Sequence, residues 1–217
     1  MIAQETQNYA IQEPEIPGWF HLGELNLLYG AVRSIDAKNC LEIGTYMGRS
    51  TFALCSALKA CGGQRRLLCV DPWASPIDEE YFELDFMKTM LERYPSIKEE
   101  YSDWKKYPTT LDCFGLTMNR YPFMKDFVEV RRARSSDTEF TGEVFDLAFI
   151  DGDHTYEGVK HDYHKVRPHV RQGGIICLHD DSEHFPGVQK FINEVKEMSD
   201  VRLLSGAVSA RAFYVLR

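Results

Sequence analysis

The chain has 217 residues and a formal net charge of −8; 44% of its residues are hydrophobic and 27% are charged. This length and composition favour one soluble globular domain, and the negative charge disfavours a protein that neutralises nucleic-acid phosphates. The N-terminus lacks a basic region followed by an apolar run, and no apolar run approaches the roughly 18 residues of a membrane span. We therefore expect neither a secretory signal nor an association with membranes or nucleic acid.

The cysteines indicate a reducing compartment. None of them forms a CxxC pair, so a thiolate zinc site is not expected. Several lie in apolar, strand-like runs and are interpreted as small buried hydrophobic residues. The six positions are Cys40, Cys55, Cys61, Cys69, Cys113 and Cys177. This usage predicts a cytoplasmic protein.

Helices and strands alternate along most of the chain. Residues 1–20 begin polar and proline-rich, and are expected to form an N-terminal arm. Apolar spacing and glycine stop signals predict helices over 18–35, 48–63, 78–94, 109–121, 155–170 and 185–198. Short apolar runs predict strands over 39–44, 66–71, 127–133, 145–151, 173–181, 201–208 and 210–217. The last two strands are expected to pair antiparallel.

This alternation is typical of an α/β protein whose parallel sheet carries helices on both faces. The fully apolar segments "LLCV", "LAFI" and "IICL" agree, because a central parallel strand is buried on both sides. We expect residues 1–217 to form a single domain, in which the irregular segment 72–112 is a helical, lid-like insertion.

Polar residues follow several of the predicted strands at the point where each strand ends. In "FIDGDHTYEG" the fourth strand runs directly into Asp151, Asp153 and His154, and the fifth ends in "HDD". Ligands of open parallel sheets bind outside the carboxyl ends of the strands, so these residues should meet at one crevice. A single strand-terminal Asp is more often a cap or turn residue, but several coinciding ones favour a binding site.

The first strand leads into "LEIGTYMGRST", which is not the dinucleotide motif GxGxxG. Glycines at positions 44 and 48 allow a tight turn into the next helix and a close approach of the backbone to a ligand. Asp71 ends the second strand, where a carboxylate can accept hydrogen bonds from both hydroxyls of a ribose. Together the turn and Asp71 indicate a nucleoside-containing cofactor.

The ordered motifs "LEIGTYMGRST", "CVDPW", "ARSSD", "FIDGDHTYEGVKHDY" and "GGIICLHDD" resemble those of class I S-adenosylmethionine-dependent methyltransferases. More narrowly, they are similar to the group of catechol, caffeoyl-CoA and macrolide-sugar O-methyltransferases. The resemblance spans nearly the whole chain. It implies a Rossmann-like sheet of seven strands, mostly parallel with an antiparallel last strand. It also implies O-methylation of a hydroxyl on a small molecule.

The resemblance assigns the cofactor contacts position by position. The methionine end is implied at the first turn and the ribose at Asp71; Trp73 is implied to lie against the adenine, with core packing as its alternative. Ser135 and Ser136 are implied near the adenine edge. The full implied set is Glu42, Gly44, Tyr46, Gly48, Ser50, Thr51, Asp71, Trp73, Ser135, Ser136 and Asp151.

The resemblance also implies a metal site at Asp151, Asp180 and Asp181. Three carboxylates are hard oxygen ligands that suit Mg²⁺, Mn²⁺ or Ca²⁺ and leave positions open for substrate oxygens. The usual pattern of the family at the last pair is Asp-Asn or Glu-Asp, whereas this chain has Asp-Asp preceded by His179. We interpret His179 as a neutral, locally bonded residue at the strand end.

His154 matches the position of a general base in related enzymes, and a histidine accepts a proton near neutral pH. Asp151 is expected to assist it, whereas Asp153 is interpreted either as a turn residue or as a support for the residues of the site. His161, His164 and His169 are expected to face solvent on one helix, and Asp162 has no assigned role.

Other functions remain open. They are a metal-free methyltransferase that uses His154 alone, and a non-catalytic S-adenosylmethionine-binding protein. A nicotinamide oxidoreductase is disfavoured by the absence of GxGxxG and by the acidic Glu42 beside the turn. The arm and the insertion are the expected substrate walls and could also mediate a homo-oligomer. Tyr81, Phe82, Trp104 and Tyr107 are predicted either to contact substrate or to form a small lid core.

Overall fold

The computed structural model describes residues 10–74 and 109–217, together with positions 88, 89 and 92. Most of the predicted helix over 78–94, most of the predicted insertion and its four aromatic residues lie outside the described residues. Strands in the described parts are β1 (Asn39–Ile43), β2 (Arg66–Asp71), β3 (Val128–Arg132), β4 (Phe145–Ile150), β5 (Val170–Leu178), β6 (Val201–Ala207) and β7 (Ala210–Val215). Helices are α1 (Leu22–Ser34), α2 (Arg49–Cys61), α3 (Thr110–Arg120), α4 (Tyr156–Val166) and α5 (Pro186–Lys196).

The strands form one seven-stranded sheet in the order β3-β2-β1-β4-β5-β7-β6. β1 pairs in parallel with both β2 and β4, and β5 pairs in parallel with β4. β7 runs antiparallel to its two neighbours, β5 and β6. From the β1–β4 pair, the strand order runs outward through β2 and β3 on one side and through β5 on the other, and an α/β sheet opens a crevice at such a point. The predicted fold class is confirmed.

Helices cover both faces of the sheet, and alternate strand residues face opposite cores. Leu67, Cys69, Leu147 and Phe149 belong to the core that includes residues of α1, α2 and α3. Leu68, Val70, Ala148 and Ile150 belong to the core that includes residues of α4 and α5. Five of the six cysteines are buried and all six are free thiols, as small core residues would be. No helix within the described residues is long and apolar enough to cross a membrane.

Two predicted helix boundaries differ by four residues from those in the structure, and both differences have local causes; the fifth strand spans Val170–Leu178 instead of 173–181. α1 begins at Leu22 instead of position 18, because His21 and Glu24 form a capping box there. The predicted helix over 155–170 ends at Val166. A short 3-10 turn that contains Pro168 follows, since proline cannot supply the N–H that continues an α-helix.

Candidate functional site

A cavity of about 1090 Å³ opens at the carboxyl ends of the central strands. Predicted site residues that border it are Gly44, Tyr46, Ser50, Asp71, Ser135, Ser136, Asp151, His154 and Asp180. Predicted site residues that do not border it are Glu42, Gly48, Thr51, Trp73 and Asp181. The structure thus brings most of the strand-end residues into one site, as expected from parallel strands that end at a common edge.

The turn between β1 and α2 requires both of its glycines for packing. Gly44 has φ +84°, and a Cβ there would lie 1.9 Å from the carbonyl oxygen of Asp151. Gly48 has φ +92°, and its Cβ would lie 2.8 Å from the ring of Phe114 on α3. The first glycine lets the ends of β1 and β4 touch beside the cavity, and the second lets α3 lie against the turn.

Glu42 is fully buried behind this turn and holds it in place. The hydroxyls of Ser50 and Thr51 each donate a hydrogen bond of 2.6 Å to its carboxylate, and Thr45 donates one of 3.2 Å. Burial raises the pKa of Glu42 to about 7, although these donors act in the opposite direction. Glu42 itself does not border the cavity, but two of the residues that it binds, Thr45 and Ser50, do. Glu42 therefore supports the turn from behind.

Asp71, at the end of β2, borders the cavity and also holds the turn. The backbone N–H of Tyr46 donates to Oδ2 at 2.9 Å, and that of Trp73 donates to Oδ1 at 2.6 Å. Burial raises the pKa of Asp71 to about 6 in spite of these bonds. Each carboxylate oxygen has a further acceptor site, so the group can still receive ribose hydroxyls.

Trp73 packs in the core. It has no exposed surface, stacks on Phe114 at a centroid distance of 5.5 Å, and donates its indole N–H to the carbonyl of Tyr46 at 2.8 Å. This arrangement favours the packing alternative over a contact with adenine.

Asp151, His154 and Asp180 meet at the ends of β4 and β5. The Nε2 atom of His154 lies 3.2 Å from Oδ2 of Asp180 and 3.7 Å from Oδ1 of Asp151. One side-chain ligand atom from each of the three lies within 4.8 Å of the other two, which is a separation that a metal ion can bridge. The bond to Asp151 raises the pKa of His154, although burial opposes the shift.

Asp181 lies apart from this group, so the structure does not bring the third predicted ligand to it. Its carboxylate binds Arg211 at 2.7 Å and Lys196 at 3.2 Å. Its backbone N–H donates to the carbonyl of Ser209, which ties this part of the chain to the β6–β7 hairpin. The two cations on β7 and α5 hold the side chain outside the cavity.

His179 borders the cavity and contacts three carboxylates. Nδ1 lies 3.1 Å from Asp151 and 3.2 Å from Asp180, and Nε2 lies 3.3 Å from Glu24 on α1. Burial would lower the pKa of His179, but these carboxylates raise it to about 11. The raised pKa favours a charged imidazole over the neutral one expected from the sequence, and the contact with Glu24 adds a distant partner to the local ones.

Glu24 was missed by the sequence analysis. It is fully buried, and its Oε1 accepts hydrogen bonds from the N–H and hydroxyl of Ser209 as well as contacting His179. Its Oε2 accepts the backbone N–H of His21. The sequence did contain a signal for this residue. Glu24 is adjacent to Leu25 in α1, and both positions are buried.

Residues 13–21, called the strap here, cross one side of the cavity. Arg49, at the start of α2, is 5% exposed and donates to the carbonyls of Pro14, Ile16 and Phe20. It also pairs with Glu13 at 2.5 Å. One buried guanidinium thus holds the described part of the predicted arm against α2. Four residues of the strap line the cavity as a result.

Elsewhere along the cavity wall, Asp162 on α4 faces the turn that follows β3. It is 2% exposed and lines the cavity together with Ser135 and His161. The hydroxyl of Ser135 donates to its Oδ1 at 2.5 Å, and Nδ1 of His161 lies 3.2 Å from the same oxygen. This buried carboxylate had no role in the sequence interpretation.

Comparisons with known proteins agree with this geometry. A family model described as a methyltransferase domain matches residues 41–180. None of the curated proteins compared with the chain matches it.

Solved structures share the fold at low sequence identity. The O-methyltransferase NovP is 16% identical with a TM-score of 0.64, over 92% of this chain and 84% of NovP. TomG from Streptomyces achromogenes, an O-methyltransferase solved in complex with SAM, is 18% identical with a TM-score of 0.56, over 91% and 81%. The SAH-bound methyltransferase PaMTH1 from Podospora anserina is 14% identical with a TM-score of 0.53, over 89% and 78%.

The matched region begins in β1 and ends at Asp180, so it includes the glycine turn, Asp71 and the Asp151–His154 segment. The chain belongs to the methyltransferase-domain family, and it has the Rossmann-like fold of S-adenosylmethionine-dependent methyltransferases.

Proposed function

We propose that the protein transfers the methyl group of S-adenosylmethionine to a hydroxyl of a small molecule. The observation that carries the proposal is the position of His154 beside Asp151 and Asp180, in the same cavity as Asp71. A proton acceptor and a ribose acceptor in one cavity are what methyl transfer to an alcohol or phenol requires. The O-methyltransferase names of NovP and TomG support the same reaction class.

The strand order supports one orientation of the cofactor. Asp71 ends β2, whereas Asp151 and Asp180 follow β4 and β5 on the other side of β1. With the ribose on Asp71, the glycine turn and Asp151 would hold the part of the cofactor that carries the sulfonium. The turn after β3 would then hold the adenine, away from His154.

In the proposed reaction, the hydroxyl oxygen of the substrate attacks the methyl carbon in line with the carbon–sulfur bond. The bonding pair leaves with sulfur, which becomes the neutral thioether of S-adenosylhomocysteine. Nε2 of His154 takes the hydroxyl proton, and its raised pKa makes it a stronger proton acceptor than an ordinary histidine once it is deprotonated. The strap residues Trp19 and Phe20 line the cavity and would exclude water from the reacting atoms.

The residues present also fit a divalent cation, preferably Mg²⁺, with Mn²⁺ or Ca²⁺ as alternatives. Carboxylates of Asp151 and Asp180 would hold it, and Asp181 would not. A cation bound there would stabilise the negative charge of the substrate oxygen. In this arrangement His154 stays off the metal, because its Nε2 cannot bind a cation and accept a proton at once.

The contacts of His179 favour a second candidate, a metal-free methyltransferase. Nδ1 of His179 lies within 3.2 Å of an oxygen of Asp151 and of one of Asp180, so a charged imidazole would compete with a metal for the same two carboxylates. In that case His179 supplies the positive charge and His154 remains the base.

The test is a methyl-transfer assay with S-adenosylmethionine and a panel of small phenols, sugars and alcohols, read by mass spectrometry. The proposal expects an O-methylated product that His154→Ala strongly reduces. Activity that is lost with a chelator and restored by Mg²⁺ supports the metal arrangement, and activity unaffected by the chelator supports the metal-free one. Methylation found only on nitrogen or carbon acceptors would overturn the proposal.

A further inference from the structure

We infer that Asp162 recognises the exocyclic amine of the adenine and thereby selects an adenine nucleoside as the methyl donor. The inference rests on the proposed cofactor orientation, in which the base points toward the turn after β3. It assigns a function to a buried carboxylate that methyl transfer itself does not use.

The first observation is that Asp162 is buried yet borders the cavity. Its exposed fraction is 2%, and it lines the cavity between Ser135 and Gly152. A carboxylate is rarely buried without partners, because loss of hydration has to be offset by hydrogen bonds. The described residues offer Asp162 two such partners, Ser135 and His161, and both contact the same oxygen, Oδ1.

The second observation concerns the other oxygen, Oδ2. In the part of the chain that the structure describes, no side-chain donor is paired with it. It lies beside Gly152, where an added Cβ would be 3.0 Å away. The same Cβ would lie 3.1 Å from Ile43, and Ile43, Gly152 and Asp162 all line the cavity, so Oδ2 lies at the cavity wall. An oxygen placed there can only accept a hydrogen bond.

The chemistry of adenine identifies the donor. The base offers ring nitrogens that accept and one amine, N6, that donates. The ribose hydroxyls are the remaining donors of the nucleoside, and the proposed orientation places them on Asp71. A carboxylate at the base end therefore matches the N6 amine, and a base with a carbonyl at that position would place two acceptors against each other.

Ser135 fixes the direction of this carboxylate. Its hydroxyl donates to Oδ1 from the turn after β3, which ties α4 to that turn at 2.5 Å. The carboxylate is thereby held with Oδ2 toward Gly152 and the cavity. A purely structural tie between the two elements is the competing explanation, and it makes no distinction between bases.

The test compares the calorimetric affinities of S-adenosylhomocysteine and S-inosylhomocysteine, which has a carbonyl in place of the amine. We expect the wild-type protein to bind the adenine compound about 10- to 100-fold more tightly, as loss of one hydrogen bond to a charged group implies. Asp162→Asn offers both a donor and an acceptor, so the ratio should fall to about 1–3. Asp137→Asn is the matched control: this exposed carboxylate accepts from Ser136 in the same turn, and its loss should keep the wild-type ratio.

If the wild-type protein bound the two compounds with equal affinity, the inference would be overturned. This result needs no variant, so the test still works if Asp162→Asn folds poorly. An Asp162→Asn protein that binds both compounds more weakly but keeps the wild-type ratio would show the structural tie instead. Failure of the wild-type protein to bind S-adenosylhomocysteine at all would count against the proposed function itself, which separates the two failures.

Discussion

Replacing Arg49 by alanine should loosen the strap and destabilise the domain. The guanidinium is 5% exposed and donates to three strap carbonyls at 2.6, 3.0 and 2.7 Å. Ile16 and Phe20, which the same bonds hold in place, are almost fully buried. Loss of Arg49 therefore removes polar contacts and weakens the burial of two apolar side chains.

The size of the effect follows from these contacts. Hydrogen bonds to a charged group contribute about 1.5–3 kcal/mol each, so the three to strap carbonyls amount to about 4.5–9 kcal/mol, and the pair with Glu13 adds to them. The strap can detach and let water bind its carbonyls. Detachment also returns about 1 kcal/mol of backbone entropy per released residue. We therefore expect the free energy of unfolding to fall by about 2–4 kcal/mol, less than the sum of the bonds.

Urea denaturation measures the loss of stability, and hydrogen exchange of residues 13–21 measures opening of the strap. Arg33→Ala is the matched control, because Arg33 is exposed and donates to one carbonyl, that of Ala60. It should change stability by about 0.5 kcal/mol or less. The reasoning would be refuted if Arg49→Ala were as stable as Arg33→Ala and if its strap exchanged hydrogen at the wild-type rate.

Deleting residues 1–17 should still leave a folded domain, but one that is less stable because Ile16 and partners of Arg49 are lost.

Three further predictions concern the cavity. Asp71→Ala should weaken S-adenosylmethionine binding by about 2–4 kcal/mol in calorimetry, and an unchanged affinity would contradict the ribose assignment. If a cation binds, Mg²⁺ should raise the melting temperature of the wild-type protein and of Asp181→Ala but not of Asp180→Ala; a gain that only Asp181→Ala abolishes would restore the original ligand set. His154→Ala should lower turnover about 10²- to 10⁴-fold at pH 7. Because the pKa of His154 is raised, its free-base fraction and the wild-type turnover should still be rising with pH above about 6.5, and a turnover already constant at pH 6 would argue against it as the base.

Local patterns in the sequence determined the elements and their approximate ends. The apolar runs of β2, β4 and β5 required burial on both faces, and only a parallel sheet covered by helices provides it. The glycines at 44 and 48 marked a turn that no larger residue can form. Strand ends then located the crevice, because parallel strands end at one edge. These signals lie within a few neighbouring residues, so they can be read without knowledge of the rest of the fold.

The pairing of side chains inside the crevice was decided by tertiary structure alone. Glu24 and His179 are 155 positions apart, and they meet only because α1 packs beside the β6–β7 hairpin at the end of β5. Asp180 and Asp181 are adjacent and chemically identical, yet one faces His154 and the other Arg211. The direction in which each carboxylate points depends on which cations distant strands and helices bring near it, and that information is not present in the local sequence.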